Sequence, residues 1–234
     1  MSWWMNAARS QSVWNSETGL RYIPRVSLRH ALEDETFVDG DFSLNTYVNI
    51  ANQTTASGHD LRFYRAQLRY ATAQSETRIG LQKIDFGPSR LLRPLRWFDQ
   101  INPNDPLQMT EGVYALMYKY HTQKNTGVWL WGLYGNDDPK GHEIWTTAKE
   151  DPEIGGRIQY PFLNGEMAVT VHTRTVDGSP LSSADFAEKR IALDGQWDLG
   201  IGLWFESVFQ HQSGPLSALN WTKLISVGGD YTFA

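Results

Sequence analysis

Apolar and polar residues alternate with a period of two along most of this chain. In 41–52, Phe42, Leu44, Thr46, Val48 and Ile50 share one face, and Ser43, Asn45, Tyr47 and Asn49 share the other. Tyr64, Ala66, Leu68 and Tyr70 oppose Arg65, Gln67 and Arg69, and Thr77, Ile79 and Leu81 oppose Glu76, Arg78, Gly80 and Gln82. Tyr114, Leu116, Tyr118 and Tyr120 form one side of a later run whose other side ends in Lys119 and His121. Met167, Val169 and Val171 oppose Ala168, Thr170, His172 and Arg174. Residues 190–210 read as a hairpin turning near Asp198, its faces carrying Ile191, Leu193 and Trp197, then Ile201, Leu203, Phe205 and Phe209. With 19–28, 128–135, 153–160 and 223–234, the pattern predicts about eleven strands and no helical run.

Connections are short at 71–76, 122–127, 160–166 and 197–200, and long at 51–60, 84–110, 136–152, 177–186 and 211–221. Alternating short and long connections predict an antiparallel up-and-down meander, read as one domain over 1–234. The polar faces carry Asn, Gln, Ser, Thr, Gly and Arg rather than the Lys and Glu of a solvent-facing sheet. Tyr64, Tyr70, Tyr118, Tyr120 and Trp197 lie near strand ends, where an aromatic girdle would meet a membrane interface. The expectation is an all-β, up-and-down transmembrane β-barrel, or part of one, of about ten to twelve strands with its apolar face outward. A soluble barrel or sandwich with the apolar face inward produces the same alternation and is the alternative.

Composition narrows the chemistry. The absence of Cys excludes disulfides, thiolate metal sites and cysteine nucleophiles. A net charge of −5 argues against nucleic-acid binding. The charge is uneven, because 61–98 holds eight Lys and Arg against two Asp and Glu. No apolar run approaches the roughly 18 residues of a transmembrane helix. The opening MSWWMNAARSQSVW has neither the basic nor the apolar stretch of a secretory leader. Asp137, Asp138, His142 and Glu143 match no calcium-loop spacing and are expected in a solvated outer loop, or in contact with lipopolysaccharide through bridging cations. His121, His172 and His211 lie near strand ends without a nucleophile elbow. Neither enzyme activity, cofactor nor metal is expected.

The last strand, SVGGDYTF, resembles the terminal signal of Gram-negative outer-membrane barrels, with Ser226, Gly228, Tyr231 and Phe233 on its pattern and Ala234 departing from it. GLQKIDFGP, LLRPLRWFD, DPLQMTEGVY and LWGLYGNDDPKG resemble a family of outer-membrane proteins in the porin and alginate-export-like group, often without an assigned function. The resemblance implies an outer-membrane location, contact with membrane lipid and lipopolysaccharide, and recognition of the C-terminal strand by barrel-assembly machinery. Such proteins carry a leader, are longer and have even strand numbers, so this chain is expected to be a piece of one.

The stretch 87–109 is expected to fold inward as a constriction or plug loop. Pro88, Pro94, Pro103 and Pro106 keep it out of a regular ladder, and Leu91, Leu92, Leu95, Trp97, Phe98 and Ile101 give it much to bury. Arg90, Arg93 and Arg96, spaced by three, predict a short helical turn anchored by Leu92, Leu95, Trp97 and Phe98. Arg65, Arg69 and Arg78 would face it from the wall, with Asp99, Asp105 and Glu111 as braces. Clustered guanidinium groups select anions in pores. The functional expectation is a passive channel for small anionic solutes. The alternatives are a closed or plugged structural barrel, and a soluble β-barrel binding protein.

Overall fold

The structure, a computed structural model, describes residues 2–10, 13–33, 35–51, 58–99, 109–110, 112–215 and 220–231. It is all-β. The strands are β1 (Ser2–Ser10), β2 (Val13–Tyr22), β3 (Arg25–Ala31), β4 (Phe37–Ala51), β5 (Gly58–Ala71), β6 (Ser75–Gln82), β7 (Val113–His121), β8 (Gly127–Leu133), β9 (Glu153–Phe162), β10 (Gly165–Val176), β11 (Phe186–Asp198), β12 (Gly202–Gln212) and β13 (Trp221–Asp230). All belong to one antiparallel sheet in chain order, except that β3 pairs with β4 beside β2. β2 pairs with the C-terminal half of β4 and β3 with its N-terminal half. They form one long strand interrupted at Ile23–Pro24, because Pro24 has no N–H to offer a ladder. Leu44 N–H donates to the Pro24 carbonyl across the break (3.2 Å).

Among the described residues the long connections fall on one rim and the short ones on the other, as the alternation predicted, except that β1 and β2 meet two residues apart at the long-loop rim. β1, SWWMNAARS, carries too little alternation to be recognised from sequence. The predicted turn near Asp198 lies at the end of β11.

The sheet is barrel-like with inverted polarity. Register aligns Ile158, Val169 and Leu193 across β9, β10 and β11, and all three are exposed. One residue along, Arg157, Thr170, Ala192 and Val208 align across β9 to β12, and all four are buried. The inner face is therefore polar and charged over much of its area, whereas Ile79, Leu116, Leu130, Val171, Ile225 and Val227 project outward into open space. An apolar belt of this extent marks a surface built to be covered.

The inner core is made by a loop, not by the sheet alone. Ile84, Phe86, Leu95, Trp97 and Phe98 pack against Val113, Ala115, Met117, Trp131, Leu133, Ala192 and Val208. Phe86 stacks on Trp131 (5.4 Å between centroids), and Phe98 meets Trp131 edge-on (5.7 Å). Gly155 makes room for that indole, since a Cβ there would sit 2.5 Å from Trp131 Nε1. Gly155→Ala is expected to destabilise the fold by about 1–3 kcal/mol through overpacking. A lower unfolding temperature than wild type, followed by circular dichroism, checks this.

Candidate functional site

The segment from Lys83 to Asp99 enters the sheet interior, as expected, and one carboxylate fixes it there. Glu206 of β12 is fully buried and accepts hydrogen bonds from Ser89 N–H (Oε1) and Leu95 N–H (Oε2), both at 2.9 Å. Glu206 lies directly across from Asp194 in the β11–β12 register. Two like charges at that spacing repel unless each has its own partner. Arg157 supplies the partner for Asp194 in a bidentate pair (2.6 and 2.7 Å).

Of the expected anchors, Leu95, Trp97 and Phe98 are buried. Leu92 is not an anchor, because it is 77% exposed and lies outside the core. The predicted helical turn is absent too. Arg96 N–H donates to the Arg93 carbonyl (3.1 Å) and Trp97 N–H to the Leu95 carbonyl (2.8 Å), giving irregular turns consistent with Pro94. As a result Arg90, Arg93 and Arg96 do not cluster. Arg90 reaches β13, pairing with Asp230 (2.9 Å) and lying over Trp204 (5.5 Å). Arg93 pairs with Asp85. The Arg96 carbonyl lies against Gly141, where any Cβ would overlap it. Asp99 does not brace the arginines, since its near cation is Lys83 (3.8 Å). Asp105 and Glu111 lie outside the described residues.

A second loop also turns inward. Residues 136–143 were expected to be solvated, yet Lys140 is buried and Glu143 has a fully buried side chain. Lys140 Nζ pairs with Glu143 (3.3 Å) and Glu153 (2.8 Å). Glu143 continues to Arg174 (3.2 Å) and Arg190 (2.9 Å), and both arginines converge on Glu188. His172 closes the cluster. Its Nδ1 accepts from Trp131 Nε1–H (3.3 Å), so Nε2 faces Glu153 (3.1 Å) with the ring hydrogen. Cations and carboxylates match in number, which is what enclosure demands. The network was not anticipated from sequence. Its signal was the polar parity of Arg174, Glu188 and Arg190, which resembles a wet face.

The opposite side of the interior stays open. Arg65, Arg69 and Arg78 lie there, as expected, with Arg25 and Lys83 in addition. A cavity of about 330 Å³ is bounded by Arg25, Asp41, Tyr64, Arg65, Arg78 and Lys83, and one of about 340 Å³ by Arg25, Arg29, Asp39, Arg69 and Arg78. They share Arg25, Asp41, Gln67 and Arg78, forming one groove along β3 to β6. A third cavity of about 240 Å³, toward the long-loop rim, is lined by Asn45, Arg62, Tyr64, Phe98 and Lys140. The groove arginines are paired: Arg69 holds Asp39 (2.5 Å) and Glu76 (3.1 Å), and Arg78 holds Glu76 (2.8 Å).

Tyr64 sits elsewhere than expected. The β4–β5 register slips at Ser43/Leu44, leaving Tyr64 as an extra residue opposite none. Phe63 is therefore exposed with Leu61, bordering the 240 Å³ cavity from its edge, and Tyr64 lines both that cavity and the 330 Å³ one. In the last strand, Ser226 and Gly228 take the less exposed face, Tyr231 lies exposed just beyond β13, and Phe233 and Ala234 are outside the described residues. Among the described residues, no helix is long and apolar enough to cross a membrane, and no cluster of three or more His, Asp or Glu suits a metal.

No family model matches the chain, and a search of curated proteins finds no match. Neither identifies a porin or alginate-export family.

Two carboxylates in this loop differ in ionisation. Burial opposes the charge on Asp85, but hydrogen bonds from Arg93 and Lys83 outweigh it and hold its carboxyl below the usual range. Burial pushes the Asp99 carboxyl up, and Lys83 offsets this only in part. Among the described residues, neither Asp99 oxygen has a hydrogen-bond partner. A carboxyl raised on folding costs stability once pH exceeds its folded value, and costs nothing below its unfolded value. Asp99→Asn is therefore expected to raise the unfolding temperature at pH 7, the gain vanishing below the ordinary carboxylate range. Unfolding followed from pH 3 to 8 checks the sign. Glu206→Ala strands two buried N–H groups, a loss on the order of 3 kcal/mol. Protease cleavage within 83–99 should appear in this variant and not in wild type.

Proposed function

We propose that this chain is an outer-membrane barrel protein, or part of one, that passes small anionic solutes along the basic groove beside its inward loop. The observation that carries the reading is the continuous pair of cavities on the inner faces of β3 to β6, lined by Arg25, Arg29, Arg65, Arg69, Arg78 and Lys83. Asp39, Asp41 and Glu76 hold these cations in place without removing the basic character of the wall. Embedding in lipid is supported by the inverted polarity. Exposed Ile, Leu, Val and Tyr cover the outer face of β7 to β11, and ion pairs fill the inner one. Burying that belt in acyl chains removes a water contact costing roughly 25 cal/mol per Å². The C-terminal pattern, with the resemblance of its loop motifs, supports outer-membrane lipid, lipopolysaccharide and the barrel-assembly machinery as partners.

The second reading is a plugged barrel serving as a scaffold or surface protein. Its support is the other half of the interior, where the two loops and the Lys140–Glu143–Arg174–Glu188–Arg190 network leave a packed, charge-matched filling.

Planar-bilayer recording separates the two. The channel reading expects discrete conductance steps and an anion-selective reversal potential. Arg69→Gln with Arg78→Gln is expected to lower the anion-to-cation permeability ratio at least about twofold. A folded, heat-modifiable barrel without conductance favours the plugged reading. Conductance indifferent to both arginines removes the anion pathway.

A further inference from the structure

The groove and the cavity at the long-loop rim meet at one side chain. Among the described residues, Tyr64 alone lines both the 240 Å³ cavity and the 330 Å³ one. Its position results from the bulge in β5. Ser43 pairs with Arg65 and Leu44 with Phe63, and the skipped Tyr64 turns inward. Bulges re-aim side chains at functional rims and recur there. Without the extra residue, period-two alternation with Arg65 inward would turn Tyr64 outward and Phe63 inward.

The neighbouring residue completes the partition. The Arg65 guanidinium lies over the Tyr64 ring at 4.1 Å, a cation–π distance. It donates to the Thr110 carbonyl (3.2 Å) and to the Tyr64 carbonyl. Thr110 lies three residues before β7, so its carbonyl holds the guanidinium on which the ring leans. Gly112 keeps that space clear, since a Cβ there would lie 3.2 Å from Arg65 Nη1.

We propose that the Tyr64–Arg65 pair is the gate between the outer cavity and the basic groove, and sets which anions cross. This rests on the channel reading. The ring is the movable part and the guanidinium the fixed part. A carboxylate or phosphate monoanion hydrogen-bonds the N–H edge of Arg65 and offsets its charge, which weakens the hold on the ring, and the released phenol opens the way into the groove. Inorganic cations gain nothing at Arg65 and leave the ring closed. The gate therefore discriminates by charge before the groove arginines act.

The test is single-channel recording in chloride and in acetate with wild type, Tyr64→Ala, Tyr64→Phe and Arg65→Gln, each first checked as a heat-modifiable barrel. Tyr64→Phe keeps the ring and is expected to behave as wild type. Tyr64→Ala is expected to raise conductance at least about twofold and to weaken anion preference, and Arg65→Gln to weaken preference as well. A closed wild type opened by Tyr64→Ala supports the gate equally. A conducting wild type with an unchanged Tyr64→Ala overturns the gate and leaves the channel intact. Silence from every folded variant overturns the channel reading, and the gate with it.

Discussion

The Glu206 carboxylate is the point on which the interior depends. A loop carrying Phe86, Leu95, Trp97 and Phe98 has ample apolar surface, but apolar contact is non-directional and does not choose a depth or an orientation. Two backbone N–H groups on one carboxylate do. Both lie at the base of the Arg90–Pro94 tip, so the tip is set against β13 and the aromatic segment against β8 and β10. That placement divides the interior into a filled side and an open side. The arrangement also requires Arg157, because Glu206 is tolerable beside Asp194 only when Asp194 is already taken.

The filled side is a set of charges that cannot be removed singly. Deleting one member leaves its partner enclosed and unpaired, whereas an apolar replacement of the whole set would be far less harmful. Lys140 and Glu143 bring the second loop into this set, so the loop's backbone is held through ion pairs rather than through a hydrophobic anchor. The open side follows a different rule. Its arginines are tethered by carboxylates at their edges while one face remains toward the cavity, which fixes their direction without neutralising the wall as a whole.

Much of the fold was legible because a strand with one apolar face writes a period of two, and Tyr114 to Tyr120 or Met167 to Arg174 do so without interruption. The inward course of 83–99 was legible from its proline and aromatic content. The details that failed have a common cause. Inward charged residues and solvated ones look the same in sequence, so Lys140 and Glu143 read as surface and the Arg174–Glu188–Arg190 cluster went unseen. Its partners come from strands and a loop far apart in the chain. The arginine spacing at 90, 93 and 96 implied a helix that Pro94 and the Glu206 contacts do not allow. The Tyr64 bulge did leave a trace, since Leu61 and Phe63 are out of phase with Leu68 and Tyr70, and that slip marks an extra residue.

The break at Ile23–Pro24 has an effect on the whole chain. It divides one strand into two segments, so the thirteen segments occupy twelve places around the sheet. With an even number of antiparallel places, the start of β1 at Ser2 and the end of β13 at Asp230 fall on the same rim, the one that carries the short turns. All the bulky polar connections fall on the other. If the sheet sits in a bilayer, the work of insertion is one-sided: the long loops must be carried through the apolar layer, whereas the short turns of the other rim stay on the near side.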